Sequence, residues 1–116
     1  MDETFSITTG RCEGFQVLVV RGEVDEVTAP ELDTSIDACP PGRQVIVDLS
    51  AVEFISSAGL HALLRERPRA VVLVSPRGNV LRLFEIVRAN RRVAVCESLE
   101  AAMASESKKP AVSSGF

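Results

Sequence analysis

The chain of 116 residues has no tryptophan or tyrosine, five phenylalanines and a single histidine. Base-stacking platforms for single-stranded nucleic acid need aromatic faces, so that function is disfavoured and the core has to be aliphatic. No apolar run approaches the roughly 18 residues of a membrane span. The opening MDETFSITTG has neither the basic nor the apolar region of a secretory signal. These two absences predict a cytoplasmic protein with no membrane partner. Three cysteines, Cys12, Cys39 and Cys96, are odd in number and widely spaced. They predict reduced core thiols rather than a disulfide framework or a zinc site, and no metal or cofactor is expected.

Catalytic patterns are missing as well. A serine hydrolase needs a base beside its nucleophile and a third group to orient that base. His61 is the only histidine, four residues after Ser57, and no G-x-S-x-G elbow is present. SPRGNV contains one glycine and lacks the spacing of a phosphate-binding loop. No C-x-x-C occurs, which argues against a dithiol enzyme. The chain is expected to bind rather than to catalyse.

What is present is apolar and acidic. Apolar residues make up 46% of the chain, enough for one core and one domain. The net charge of -3 divides unevenly. Residues 1–64 carry three arginines against eleven carboxylates, a balance of -8, whereas residues 65–116 carry ten cations against five glutamates, a balance of +5. The acidic total repels phosphates, so direct nucleic-acid binding is disfavoured. An acidic face that meets a basic protein partner is the sharper reading.

TFSITT alternates and reads as an edge strand, and GFQVLVVRG as a second, joined by GRCEG with glycines for a hairpin turn. RQVIVDLS, RAVVLVS and RRVAVCE hold continuous β-branched runs, which suggest strands covered on both faces. Helices are expected between them. Thr28 with Glu31 reads as a capping box, with Val27 and Leu32 as its hydrophobic staple. A second helix follows Ser56 and Ser57 and ends by Pro68. A third runs from about Pro76 to Arg88, with Ser75 as cap and Val80, Leu83, Phe84 and Val87 inward. A fourth starts at Ser98. The order β-β-α-β-α-β-α-β-α predicts an α/β fold: a mixed, mostly parallel five-stranded sheet with about four helices. The domain is expected over residues 1–104, and the polar segment 105–116 as a disordered tail. Val17, Val19, Val45, Val47, Leu49, Val72 and Val74 should lie in the sheet core. Leu32, Ile36, Leu60, Leu63, Leu64, Leu83 and Phe84 should cover them.

In FISSAGLHALL two adjacent serines stand where a helix leaves the end of a strand. Capping needs only one of them. A phosphate on the other would add about -1.5 to -2 charges at a helix N-terminus, which tolerates a dianion without unfolding. Such a position suits a binding module controlled by modification.

VRGEVDEVTAPEL (20–32) followed by VIVDLSAVEFISSAGLHALL (45–64) resembles the STAS domain of bacterial anti-sigma factor antagonists, over roughly residues 4–104. The resemblance implies that a partner anti-sigma factor, itself a serine kinase, phosphorylates the serine two residues before the glycine, here Ser57. Unmodified antagonist then holds the anti-sigma factor and frees the sigma factor, modified antagonist releases it, and a phosphatase resets the cycle. Many members carry Asp immediately before the acceptor. This chain has Ser56 there, which makes Ser56 the alternative acceptor. Asp25 and Asp48 match acidic positions that the resemblance places near the phosphosite. The expected docking face combines Asp25 to Thr28, Asp48 to Phe54 and the exposed side of the second helix, where Ser57, His61 and Arg65 recur every four residues. Two other readings remain open: a STAS scaffold subunit of a sensory assembly, and a small-ligand-binding module.

Overall fold

The computed structural model describes residues 5–41 and 44–108, with side chains through residue 104. The elements follow the expected order: β1 (Phe5–Cys12), β2 (Phe15–Val24), α1 (Ala29–Asp37), β3 (Val45–Ile55), α2 (Ser57–Leu64), β4 (Val71–Val74), α3 (Gly78–Val87), a 3-10 turn (Ala89–Arg91), β5 (Ala94–Cys96) and α4 (Leu99–Lys108). The strands form one five-stranded sheet in the order β1-β2-β3-β4-β5. β1 pairs antiparallel with β2 at one edge, and the other three pairings are parallel. The mixed, mostly parallel sheet and four helices are those the order of runs predicts. Residues 109–116, most of the expected tail, lie outside the described residues, and α4 continues to Lys108, past the expected boundary at 104.

The β1–β2 hairpin is longer than the glycine pattern suggests. Its turn is Glu13–Gly14, with φ of 54° and 88°. Two consecutive positive φ values match the right-handed twist of the flanking strands, so the turn closes tightly. Gly10 is left inside β1, opposite Val17.

Strand order explains how the helices are distributed. From β2 to β5 the chain always advances the same way across the sheet. Right-handed crossovers therefore lay α1, α2 and α3 on one face. There Leu32, Ile36, Leu63 and Phe84 pack on Val45, Val47 and Leu49 in one continuous core. α4 follows the last strand and closes the opposite face, where Ala102 packs with Val17, Ile46, Val72 and Val74. Alternate residues of each strand thus enter different cores, which is why the β-branched runs show no polar alternation. Most expected core positions are buried, whereas Val19, Leu60, Leu64 and Leu83 are half-buried. Val87 is 40% exposed, so the inward stripe of α3 ends at Phe84.

Two helix starts differ from expectation. α1 has no side-chain cap at Thr28, and Val27, the proposed staple, is 83% exposed. The reciprocal box lies three residues earlier. The Asp25 carboxylate accepts the Thr28 N–H at 3.1 Å, and the Thr28 hydroxyl accepts the Asp25 N–H at 2.9 Å. α3 starts at Gly78, not Pro76. Ser75 cannot cap it, because its backbone is left-handed (φ 59°) and its hydroxyl donates to the Glu97 carbonyl at 3.2 Å, fastening the end of β4 to β5.

After α2 the chain carries Arg65, Arg67 and Arg69 at alternate positions, and all three reach toward α1 or the residues that follow it. Arg65 donates from Nε to Asp33 at 2.8 Å and from Nη2 to Asp37 at 2.6 Å. Arg67 pairs with both aspartates and donates to the Ala62 carbonyl at 2.7 Å. Its side chain is only 2% exposed, so the charge is tolerated because carboxylates and a carbonyl surround it. Arg69 donates to the Cys39 carbonyl at 2.7 Å, beyond the end of α1. This clamp holds α1 against α2. Burial opposes ionisation of Asp37, but the Arg67 hydrogen bond, its charge and that of Arg65 together hold the carboxyl below the usual carboxylate range. A depressed folded pKa stabilises fully above the unfolded value of about 3.9, and the stabilisation is lost as pH falls through the folded pKa. The Tm gap between wild type and Asp37→Asn should hold steady from about pH 7 to 5 and narrow below about pH 4. A gap unchanged in strong acid would mean that shape, not charge, makes the contact.

Candidate docking and modification site

The site forms where β2 and β3 end together. Their last paired residues are Val24 and Ile55. The chain turns at Ser56, whose N–H donates to the Val24 carbonyl at 2.8 Å. Ser56 is the N-cap of α2: its backbone is extended, and its hydroxyl accepts the Gly59 N–H at 3.2 Å. One orphan amide of the helix start is satisfied in this way. The two serines therefore divide their roles. Ser56 is half-buried and spent on the cap, while Ser57, the first helical residue, is exposed.

Gly59 determines how close this helix start can come to the sheet. A Cβ added there would sit 2.8 Å from Val24 Cγ1, 2.8 Å from the Val24 carbonyl oxygen and 2.9 Å from Ile55 Cγ2. The backbone oxygen cannot rotate aside, so the first turn of α2 seats on the strand ends only with glycine at this position. In sequence Gly59 serves only to locate Ser57 two residues before it. A glycine inside a helical pattern usually has a packing reason, and here that reason is the close approach to Val24 and Ile55.

Asp25 and Thr28 lie in the turn that leaves β2, beside this helix start. The hydrogen bond from the Thr28 amide leads the interactions that lower the Asp25 pKa, with further help from the Val27 amide and the Thr28 hydroxyl, and burial acting against them. Asp25 is thus an ionised turn-former, with its Oδ1 committed to local donors. His61 is exposed one turn after Ser57 and lines a groove between α1 and α2 of about 330 Å³ with Glu26, Ala29, Pro30 and Asp33. Arg65, the third of the expected row, is tied into the clamp by Asp33 and Asp37 and is half-buried. The row on α2 thus presents Ser57 and His61 outward, while Arg65 serves the fold.

Asp48 does not join the cluster. It pairs in register with Val19 and Val74 in mid-sheet, and its carboxylate accepts the Ser50 N–H at 2.9 Å. Eight positions separate it from Ser56 along a strand that rises about 3.3 Å per residue, with two shifts of register against β2 on the way, between Val19 and Arg21 and between Gly22 and Glu23. Phe54, in contrast, is 48% exposed close to the serines. The arginine clamp was also missed, although the alternating R-x-R-x-R and the Asp33–Asp37 spacing of four were both legible. The three cysteines are unpaired, and burial raises the thiol pKa of Cys39 and Cys96. Among the described residues no helix is long and apolar enough to cross a membrane, and no group of three or more His, Cys, Asp or Glu could hold a metal.

A mixed five-stranded sheet whose third strand delivers a capped helix with an exposed serine at its first position defines an α/β domain class. The STAS domain profile matches residues 7–102, and the chain belongs to that family. It is 35% identical over 63 residues to the anti-sigma-F factor antagonist RsfB of Mycobacterium tuberculosis. That match covers 53% of this chain and 52% of the relative, so the chain spans about half the length of the curated relatives it matches. The crystal structure of an anti-sigma factor antagonist from Mycobacterium paratuberculosis is similar with a TM-score of 0.74 and 29% identity, over 87% of this chain and 92% of that one. An anti-sigma-factor antagonist (STAS) domain protein from Planctomyces limnophilus shares the fold at a TM-score of 0.71 and 14% identity, over 88% and 98% of the two chains.

Two substitutions test this geometry by thermal or urea denaturation. Gly59→Ala should destabilise by about 1–3 kcal/mol, the usual cost of overpacking, despite a helix-propensity gain of up to about 1 kcal/mol. Ser56→Ala should lose about 1 kcal/mol with the cap, while Ser57→Ala should stay within about 0.5 kcal/mol of wild type. Equal effects of the two serine changes would show that the cap is shared.

Proposed function

We propose that this chain is an anti-sigma factor antagonist of the cytoplasm. It acts by docking rather than by catalysis, and phosphorylation of Ser57 controls it. The observation that carries the reading is the division of labour between the serines. Ser56 is engaged in capping, whereas Ser57 is exposed on a helix start whose dipole favours added negative charge. The antagonists among its relatives support the same reading. The partner is an anti-sigma factor with serine-kinase activity, and a phosphatase returns the chain to its binding form. Asp25, Thr28, Ser57 and His61 contribute to the docking face around α2, with Ser56 shaping it from beneath. Phosphorylation adds about -1.5 to -2 charges without removing any contact of the fold. Its effect falls on the interface, where a desolvated charge without a partner is costly.

The test uses the purified chain, its cognate anti-sigma kinase and ATP. Wild type should bind the kinase and gain one phosphate. Ser57→Ala should bind as well as wild type and gain none. Ser57→Asp should melt close to wild type yet bind at least about tenfold more weakly, a loss of about 1.4 kcal/mol. Phosphate retained on Ser57→Ala but lost from Ser56→Ala would move the acceptor to Ser56. Absence of any complex between wild type and the kinase would overturn the antagonist reading.

A further inference from the structure

The start of α2 holds donors that the fold does not use. The Ser56 hydroxyl takes the Gly59 N–H, which leaves the Ser57 and Ala58 amides of the first turn without an acceptor among the described residues. His61, the chain's only histidine, is exposed one turn further on. Its imidazole makes no hydrogen bond or ion pair among the described residues. Residues four apart on a helix are surface neighbours. Helical side chains lean toward the N-terminus, so the imidazole of His61 is within reach of the turn that Ser57 opens. An anion at the first position and a cation four residues later is also the favourable order of such a pair.

Most other charges around His61 are committed or stand elsewhere. Asp33, across the α1–α2 groove, is paired with Arg65 and Arg67. Arg65, one turn after His61, is turned to Asp33 and Asp37. Asp25 spends its Oδ1 on the Val27 and Thr28 amides. Glu53 lines a different groove, between the end of β3 and α3. Glu26 shares the α1–α2 groove with His61 and has no ion pair among the described residues. We propose that His61 is the positioning residue for phosphorylated Ser57, its imidazolium donating to the phosphate and holding it over the first turn of α2. This inference rests on the reading of Ser57 as the acceptor. The Ser57 and Ala58 amides and the positive end of the helix hold the same phosphate from the other side. Glu26 offers one negative charge where the phosphate offers about -1.5 to -2, so modification draws the imidazole from the groove wall toward Ser57. The switch therefore acts twice, by adding charge at Ser57 and by altering the α1–α2 groove one turn away.

Imidazole and phosphate titrate in the same range, so the two behave as a coupled pair. A neighbouring cation favours the more negative form, so the second ionisation of the phosphate, ordinarily near about pH 6, moves to lower pH. The experiment follows it by phosphorus-31 NMR. Phosphoserine is installed at position 57 of the full chain during translation, so no kinase is needed. The midpoint in wild type should lie about 0.2–0.7 unit below that in His61→Gln. Both chains keep the helix start and its dipole, so the difference isolates the imidazole. His61→Lys, with a cation at the same position, should restore the lower midpoint, and added salt should narrow the gap. Without the phosphate, His61→Gln should melt like wild type, because His61 is exposed. Equal midpoints in wild type and His61→Gln, or a His61→Lys chain that titrates like His61→Gln, would overturn the pair and leave the antagonist reading standing. Failure of the kinase to modify Ser57 would overturn that reading instead, and the installed phosphate would still decide the pair.

Discussion

The approach of α2 to the ends of β2 and β3 is the contact on which the functional end of the molecule depends. A side chain at position 59 would overlap the Val24 carbonyl and the Val24 and Ile55 side chains, all within 2.9 Å. With glycine there, the Ser56 amide reaches the Val24 carbonyl, and the Ser56 hydroxyl turns inward to the Gly59 amide. The next residue is then left at the first helical position, facing solvent. Exposure of Ser57 is thus a consequence of backbone packing two residues away. A helix displaced outward by even a methyl group would have to give up the strand-end hydrogen bond that sets its entry angle.

The arginine clamp completes this arrangement from the other end of the helix. α2 is only eight residues long, too short to be stable by propensity alone. Its first turn is held by the sheet, and its exit is held by Arg65, Arg67 and Arg69 reaching across to α1. Because Arg67 is nearly sealed from solvent, its two aspartates are a condition of burying it rather than an optional surface pair. The cost of that burial is offset by hydrogen bonds to every side of the guanidinium that the structure uses. The clamp also consumes two carboxylates of the acidic half, so the charge asymmetry seen in sequence is partly cancelled inside the fold.

Two open grooves flank this end of the molecule. One, between α1 and α2, is lined by Glu26 and His61 among others. The other, between the end of β3 and α3, is largely apolar and carries Glu53 and Arg82. One face of the sheet lies under three helices and the other under α4.

The sequence by itself determined the architecture. Continuous β-branched runs separated by helical periods leave few topologies, and right-handed crossovers reduce them to one sheet with its helices placed as observed. It also brought out the two serines, because a strand run and an amphipathic helix meet at them. Local chemistry was less legible. Thr28 and Glu31 have the spacing of a capping box, but Asp25 takes Thr28 first, because the chain makes a full turn before α1 begins. Ser75 and Pro76 have the form of a helix start, but pairing of Ser75 with β5 holds its backbone left-handed. Only the tertiary structure decided which serine caps and which is free. Only there do Arg65 and Arg67 find partners about thirty residues away on α1, and only there does Phe54 come to face α3. Each of these depends on a distance between elements remote in the chain, and periodicity carries no information about such distances.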